Sequence, residues 1–483
     1  MSRESAFAKL PRNVLIYGVG DVLSKGLHFL LLPVYLRYLD PGQFGILALA
    51  AAYATVAGYF LHLNLNSAVL RFHSDCEGQS EAKELAGTLI LFQLAWSAAL
   101  AVLLVSVLPS VLASVFNNDQ LELPFRLAGG LAVVTSVAVI PLSVLQTRQE
   151  AGRYRLLTVV GSVLTIMGIL YFVVVRGGGA SGFLLGQVLG GALMIGPYGL
   201  VAWNRMTLRL RKDVLLRCLA FSAPLVPYAV SGWTMDLSNR YLVEYFMGIE
   251  DVGRYNAAYQ FALIMQTTLN AFALAWIPVF YQLAKEDDAE RRLAVFGKIY
   301  WCLTLLLGLV LTLGSKEALA VFADGVYRDS YVVMPALMAT QALTCLWHLF
   351  VNPLFLRKKT AYLPLVMGAA ALLSILLNLF MIPRWGLVGA GWAVFAANAF
   401  VNVAAGALSL RWYPIPYRAG QMVVAGVGAV ITFLVAESLF RAGWPVAVAL
   451  SAILLFPIIL VATRTVTTGE IRTVSRYLAA HTG

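Results

Sequence analysis

The chain has 483 residues, 60% of them hydrophobic and only 12% charged, with a net charge of +11. A soluble domain carries about 25% charged residues, so this composition, with a mean hydropathy of +0.79, excludes a soluble protein. Apolar residues come in runs of about twenty, the length that crosses a ~30 Å hydrocarbon core. The positive charge is then read as basic residues gathered in cytoplasmic loops rather than as a nucleic-acid surface.

The N-terminal MSRESAFAKLPRN is basic and leads into a long apolar run with no A-x-A-like site, which predicts a retained first span. Runs bounded by charges predict an all-α polytopic protein of about fourteen spans: 13–38, 43–70, 85–108, 124–146, 154–175, 180–203, 217–243, 254–280, 295–315, 331–356, 361–382, 386–410, 418–440 and 445–463. A count of twelve stays open, the last two spans being the weakest. With the N-terminus cytoplasmic, 25 of the 35 Lys and Arg residues fall on the inner side and 8 on the outer. That asymmetry predicts both termini inside.

The first span ends in LDPGQFGILALA (39–50) and the seventh in IEDVGRYNAAYQ (249–260). Each is an acidic turn, then an aromatic or apolar residue with glycine, then a helix start rich in small residues. The match predicts a parallel duplication: an N-terminal lobe over 1–212, a C-terminal lobe over 213–410, and two accessory spans with a cytoplasmic tail over 411–483.

No GxSxG, HExxH, phosphate-cradling GxxxxGK[ST] or paired CxxC motif occurs. Cys76, Cys218, Cys302 and Cys345 are scattered without disulfide or metal-ligand spacing. The expectation is a non-enzyme without metal or cofactor. Chemistry therefore rests on ionisable residues inside spans, which cost roughly 2.5–3.5 kcal/mol each at mid-membrane and usually face a cavity. In the first span Asp21 stands four residues before Lys25, and in the seventh Asp236 stands four before Arg240. That spacing puts both charges of a pair on one helix face. With Gly45 aligned on Gly253, the second pair sits about two turns nearer the outer end than the first. Lys25 and Arg240 are read as cationic contacts for a phosphate-bearing substrate, with the two acids holding their side chains. The competing reading is that each acid only neutralises its own base.

The second span closes on His62-Leu-Asn64-Leu-Asn66 and then Arg71. Its amides suit sugar hydroxyls, Asn239 joins the seventh-span set, and Arg71 suits the inner mouth, although interhelical bonding and topology fit these residues as well. Gly182, Gly186 and Gly190 read as small-residue packing. Asn378, Asn398 and Asn402 read as packing too, and Glu437 stands unassigned.

Three stretches carry a family resemblance: NVLIYGVGDVLSKGLHFLLLPVYLRYLDPGQFGILALA with LNLNSAVLRF, FSAPLVPYAVSGWTMDLSNRYLVEYFMGIEDVGRYNAAYQFA, and NLFMIPRWGLVGAGWA. On these the chain resembles the Wzx-type oligosaccharide flippases of the multidrug/oligosaccharidyl-lipid/polysaccharide exporter superfamily. The resemblance implies two six-helix lobes around a cationic cavity, closing alternately to each side. It implies a polyprenyl-diphosphate-linked oligosaccharide as cargo, in a bacterial cytoplasmic membrane. It also implies polymerase and glycosyltransferases of the same pathway as partners of a monomer. Carried onto this chain, the cavity bases are Lys25 and Arg240, with Arg71 at the inner end. Many relatives have more cavity arginines, which weakens the case for a strongly acidic glycan. A cation-coupled drug exporter and a membrane-embedded polymerase or ligase stay as alternatives. Paired acids disfavour the first and short outer loops the second.

Overall fold

The computed structural model describes residues 30–322, 325–470 and 472. The described residues are helical with no strand. In chain order the helices are α1 Leu32–Tyr38, α2 Pro41–His62, α3 Leu65–Phe72, α4 Gln79–Val102, α5 Leu108–Val115, α6 Glu122–Thr147, α7 Ala151–Leu170, α8 Gly179–Leu193, α9 Ile195–Arg205, α10 Lys212–Ser222, α11 Leu225–Asp236 and α12 Asn239–Met247. Then come α13 Ile249–Leu283, α14 Ala289–Phe322, α15 Met334–Leu356, α16 Leu363–Trp412, α17 Ala419–Arg441, α18 Val446–Ser451 and α19 Leu455–Ala462.

Among the described residues, eleven helical segments are long and apolar enough to cross a membrane. Only helices and closed barrels satisfy every backbone group in lipid, which is why the expected spans appear as helices. Of the first expected span, residues 13–29 lie outside the described residues, and the last, Val446–Ala462, is a shorter apolar segment. Helix α16 is 50 residues long. At ~1.5 Å per residue that is more than twice the membrane's core. It is divided at Gly386, whose φ of 56° and ψ of −138° no other residue type adopts without strain. The break falls at the junction expected between spans 361–382 and 386–410.

The chain forms two compact units, 1–256 with 378–386, and 257–377 with 387–483. In the first unit α6 is central and packs on α2, α3, α4, α8 and α9. Polar bonds tie the helices of this unit: Tyr53 on α2 donates to the Leu104 carbonyl at 2.7 Å, and Gln93 on α4 donates to the Ser136 carbonyl on α6. Helices α7 and α8 approach through glycine. A Cβ on Gly186 would lie 2.5 Å from Gly168 C, and one on Gly190 would lie 2.6 Å from Thr165 Cα. The Gly182/186/190 row is therefore packing, as its spacing suggests. The basic stretch after α9 is strapped across the start of α4. Thr207 N donates to Lys83 O at 3.0 Å, Thr88 Oγ1 donates to Arg209 O at 2.8 Å, and Arg211 reaches Glu84 at 3.3 Å. A side chain at Gly87 would collide with the Thr207 carbonyl.

In the second unit α14 packs on α15 and α17. Glu437 gains partners that the sequence did not disclose: Tyr331 Oη at 3.3 Å, Arg441 at 3.1 Å and Lys316 at 3.9 Å. It is a structural acid tying α17 to α14. Lys298, 2% exposed, donates to Gln421 and to Glu470 at 2.9 and 2.8 Å, and so ties the chain beyond α19 to α14 and α17. Asn398 and Asn402 donate to Val394 O and Asn398 O on their own helix.

Candidate functional site

The seventh span is not one helix. Ser231, Thr234 and Ser238 each donate to the carbonyl four residues earlier. Such back-bonding competes with the helical ladder and bends it. Leu237 and Ser238 then turn out of the helix, their N–H groups both directed to Trp233 O at 2.8 and 3.3 Å. Asp236 is therefore the last residue of α11, while Arg240 is the second of α12. The expectation that both charges share a continuous helix face is corrected here: they straddle a break. Arg240 Nη1 donates to the Asp236 backbone oxygen at 2.9 Å, bonding a carbonyl that the break leaves without a helical partner. Arg240 is 2% exposed and its guanidinium carbon lies 5.8 Å from the Tyr255 ring centroid. Asn239 beside it is fully buried, and neither atom of its amide has a hydrogen-bond partner.

Two bonds fix this break against the second span. Trp233 Nε1 donates to Ala52 O at 2.9 Å and Tyr241 Oη to Leu49 O at 3.2 Å. The second span is itself broken. Leu63 (φ 45°, ψ 32°) and Asn64 (φ 53°, ψ 28°) are consecutive left-handed residues between α2 and α3. Asparagine adopts that region readily and leucine rarely, at a cost of order 1–3 kcal/mol that the surroundings must offset. Asn64 N–H donates to His62 Nδ1 at 3.3 Å. Asn66 Oδ1 is buried without a partner.

Asp236, Asn239 and Arg240 thus gather at one break, and Asn64 and Asn66 at another in the same unit. Arg71 stands apart. It lies five residues beyond Asn66 on the last turn of α3, 53% exposed, and grips both Asp75 oxygens at 2.9 and 3.0 Å. Asp21 and Lys25 lie outside the described residues. His62 opens the motif read from the sequence but was given no role there, and Tyr59 was missed, because a histidine and a tyrosine in an apolar run carry no signal of a break.

The two glycine-bearing segments meet in space. A Cβ added to Gly45 would overlap Ile249 O and lie 3.0 Å from Gly253 N. One added to Gly253 would overlap Pro41 O and lie 3.0 Å from Gly45 N. Each glycine touches the residue four before the other, so the contact is reciprocal.

A family profile described as "Polysaccharide biosynthesis protein" matches residues 10–284, more than half of the chain. The chain belongs to that family. Among solved structures it is similar to the Lipid II flippase MurJ in an inward closed conformation, at 14% identity and a TM-score of 0.71. That match covers 93% of this chain and 99% of that one. It is also similar to a MATE transporter in the bent conformation (16% identity, TM-score 0.57, 84% of this chain and 95% of that one). The Vibrio cholerae MATE transporter VcmN matches at 16% identity and a TM-score of 0.57, covering 84% and 98%. No curated sequence matches the chain significantly. At these identities the likenesses establish the fold: a multi-pass membrane protein with the architecture shared by MurJ and the MATE transporters.

Proposed function

We propose that the protein flips a polyprenyl-diphosphate-linked oligosaccharide across a bacterial cytoplasmic membrane by alternating access, for surface polysaccharide synthesis. The observation that carries the reading is the break in the seventh span. It sets a buried arginine and a buried, unpartnered asparagine at the start of half-helix α12. Discontinuous helices in transporters place their positive N-terminal ends and donors toward anionic cargo. Arginine adds a fork matched to phosphate oxygens. The family's place in polysaccharide biosynthesis and the fold shared with a flippase support the same cargo class.

On this reading Arg240 and Asn239 contact the diphosphate, Lys25 and Asp21 supply the equivalent pair in the first span, and Arg71 serves the inner mouth. Asp236 holds the break. The fourteen-span topology with both termini cytoplasmic, the duplicated six-span lobes over 1–212 and 213–410 with the accessory region 411–483, monomeric action and the polymerase and glycosyltransferase partners belong to the same proposal. Deleting the gene should abolish surface polysaccharide and leave lipid-linked repeat units on the cytoplasmic face. A deletion strain with normal polysaccharide and new drug sensitivity would replace the flippase with a drug exporter.

A further inference from the structure

The break in the second span exposes hydrogen-bonding groups that the packing of the first unit does not use. The neutral His62 ring accepts the Asn64 N–H on Nδ1, so its proton sits on Nε2. His62 is half-buried, and no described residue bonds that Nε2–H. The side-chain amides of Asn64 and Asn66 bond no described residue either, and the Asn66 Oδ1 is buried. The Tyr59 ring stands edge-on to His62, with centroids 6.1 Å apart. Two consecutive left-handed residues, one of them leucine, hold this set in place against the backbone's preference. Strain that persists in this way clusters at functional sites.

The chemistry of the set is narrow. It combines one imidazole N–H, two primary amides and an aromatic ring, with no cation. The nearest basic residue along the chain, Arg71, is held by Asp75. Amides donate and accept in the spacing of adjacent hydroxyls, and an aromatic ring suits the apolar face of a pyranose. With no cation in the set, a carboxylate on the ligand would give up its hydration without a counter-charge.

We propose that the broken second span is a subsite for one uncharged sugar residue of the cargo, held by His62 Nε2–H, the Asn64 and Asn66 amides and the Tyr59 ring. It deepens the flippase reading and rests on it: the seventh-span break takes the diphosphate, and the second-span break takes a sugar attached to it.

The test uses the full chain in lipid nanodiscs and titrates three probes by calorimetry. They are farnesyl diphosphate, farnesyl diphosphate bearing an uncharged disaccharide, and the same compound with a hexuronate in place of one sugar. The wild type should bind the uncharged glycosylated probe at least about tenfold tighter than farnesyl diphosphate, and tighter than the hexuronate probe. His62→Phe and Asn66→Ala should each reduce that sugar-dependent gain by about five- to tenfold and leave farnesyl diphosphate binding unchanged. His62→Gln, which keeps a donor, should recover part of it. Asn66→Ala alone decides the matter if His62→Phe does not fold. Equal wild-type affinity for the bare and glycosylated probes, an undiminished gain in Asn66→Ala, or preference for the hexuronate overturns the subsite while the diphosphate site stands. Failure of the wild type to bind any of the three overturns the flippase reading and the subsite together.

Discussion

The reciprocal contact between Gly45 and Gly253 gives a prediction with an unusual signature. A methyl at either position overlaps a backbone carbonyl, Ile249 O or Pro41 O, which no rotamer change can move. The two helix starts must therefore separate. Overpacking of this kind costs about 1–3 kcal/mol. Gly45→Ala and Gly253→Ala should each destabilise the purified protein by that amount. The decisive quantity is the double variant. Because each added Cβ also comes within 3.0 Å of the other glycine's nitrogen, one separation accommodates both methyls. The double variant should therefore cost well under the sum of the singles, with a coupling of at least ~1 kcal/mol. Gly130→Ala, on α6, serves as the control: nothing lies within 4 Å of its Cβ position, and alanine favours helix. Reversible denaturation of the detergent-solubilised chain, followed by circular dichroism, reads all four. Singles within ~0.5 kcal/mol of wild type, or a strictly additive double, would refute the reasoning.

Other contacts give sharp expectations. Arg240→Lys keeps the charge but loses the fork, so transport in reconstituted vesicles should fall while some activity remains, whereas Arg240→Ala should be inactive at normal expression. If Arg240→Ala transports normally, the arginine is structural and contacts no cargo. Glu437→Ala leaves Lys316 half-buried without its acid, and should destabilise by about 1–3 kcal/mol; the thermal midpoint checks it against Glu437→Gln, which retains the Tyr331 bond. Burial raises the Glu470 carboxyl, but hydrogen bonds from Lys298 and Thr467 outweigh it and hold the group below its ordinary value. The folded pKa is thus the depressed one, so this stability is present above the ordinary carboxylate pKa and is lost as pH falls through the folded value. A pH series of melting curves should show that acid-side loss in wild type and a flatter dependence in Glu470→Gln.

Most of the architecture was legible because lipid leaves the backbone few choices: apolar length and charge position locate helices almost without regard to detail. The two glycines were legible for a related reason. A residue chosen because nothing larger fits is visible as a letter, and Gly45 and Gly253 prove to touch each other. The breaks were not legible. Leu63 carries no sign that its φ is positive, since the sterics that disfavour it are overridden by tertiary contacts absent from any local window. At Leu237 the cause is present in the sequence, as Ser231, Thr234 and Ser238 recurring every three or four residues. Yet that recurrence equally describes the polar face of an unbroken helix. The reading of Asp236 and Arg240 as a one-face pair failed at that point. The spacing was right and the helix was not: the arginine bonds the carbonyl end of one half-helix from the start of the next. The change alters what burial of the arginine means. Beside an unpartnered Asn239, a guanidinium that spans two half-helices senses the angle between them. On the proposed function, an anion that contacts this guanidinium would act on that angle directly, which would link cargo binding to the bend of the span as well as to charge.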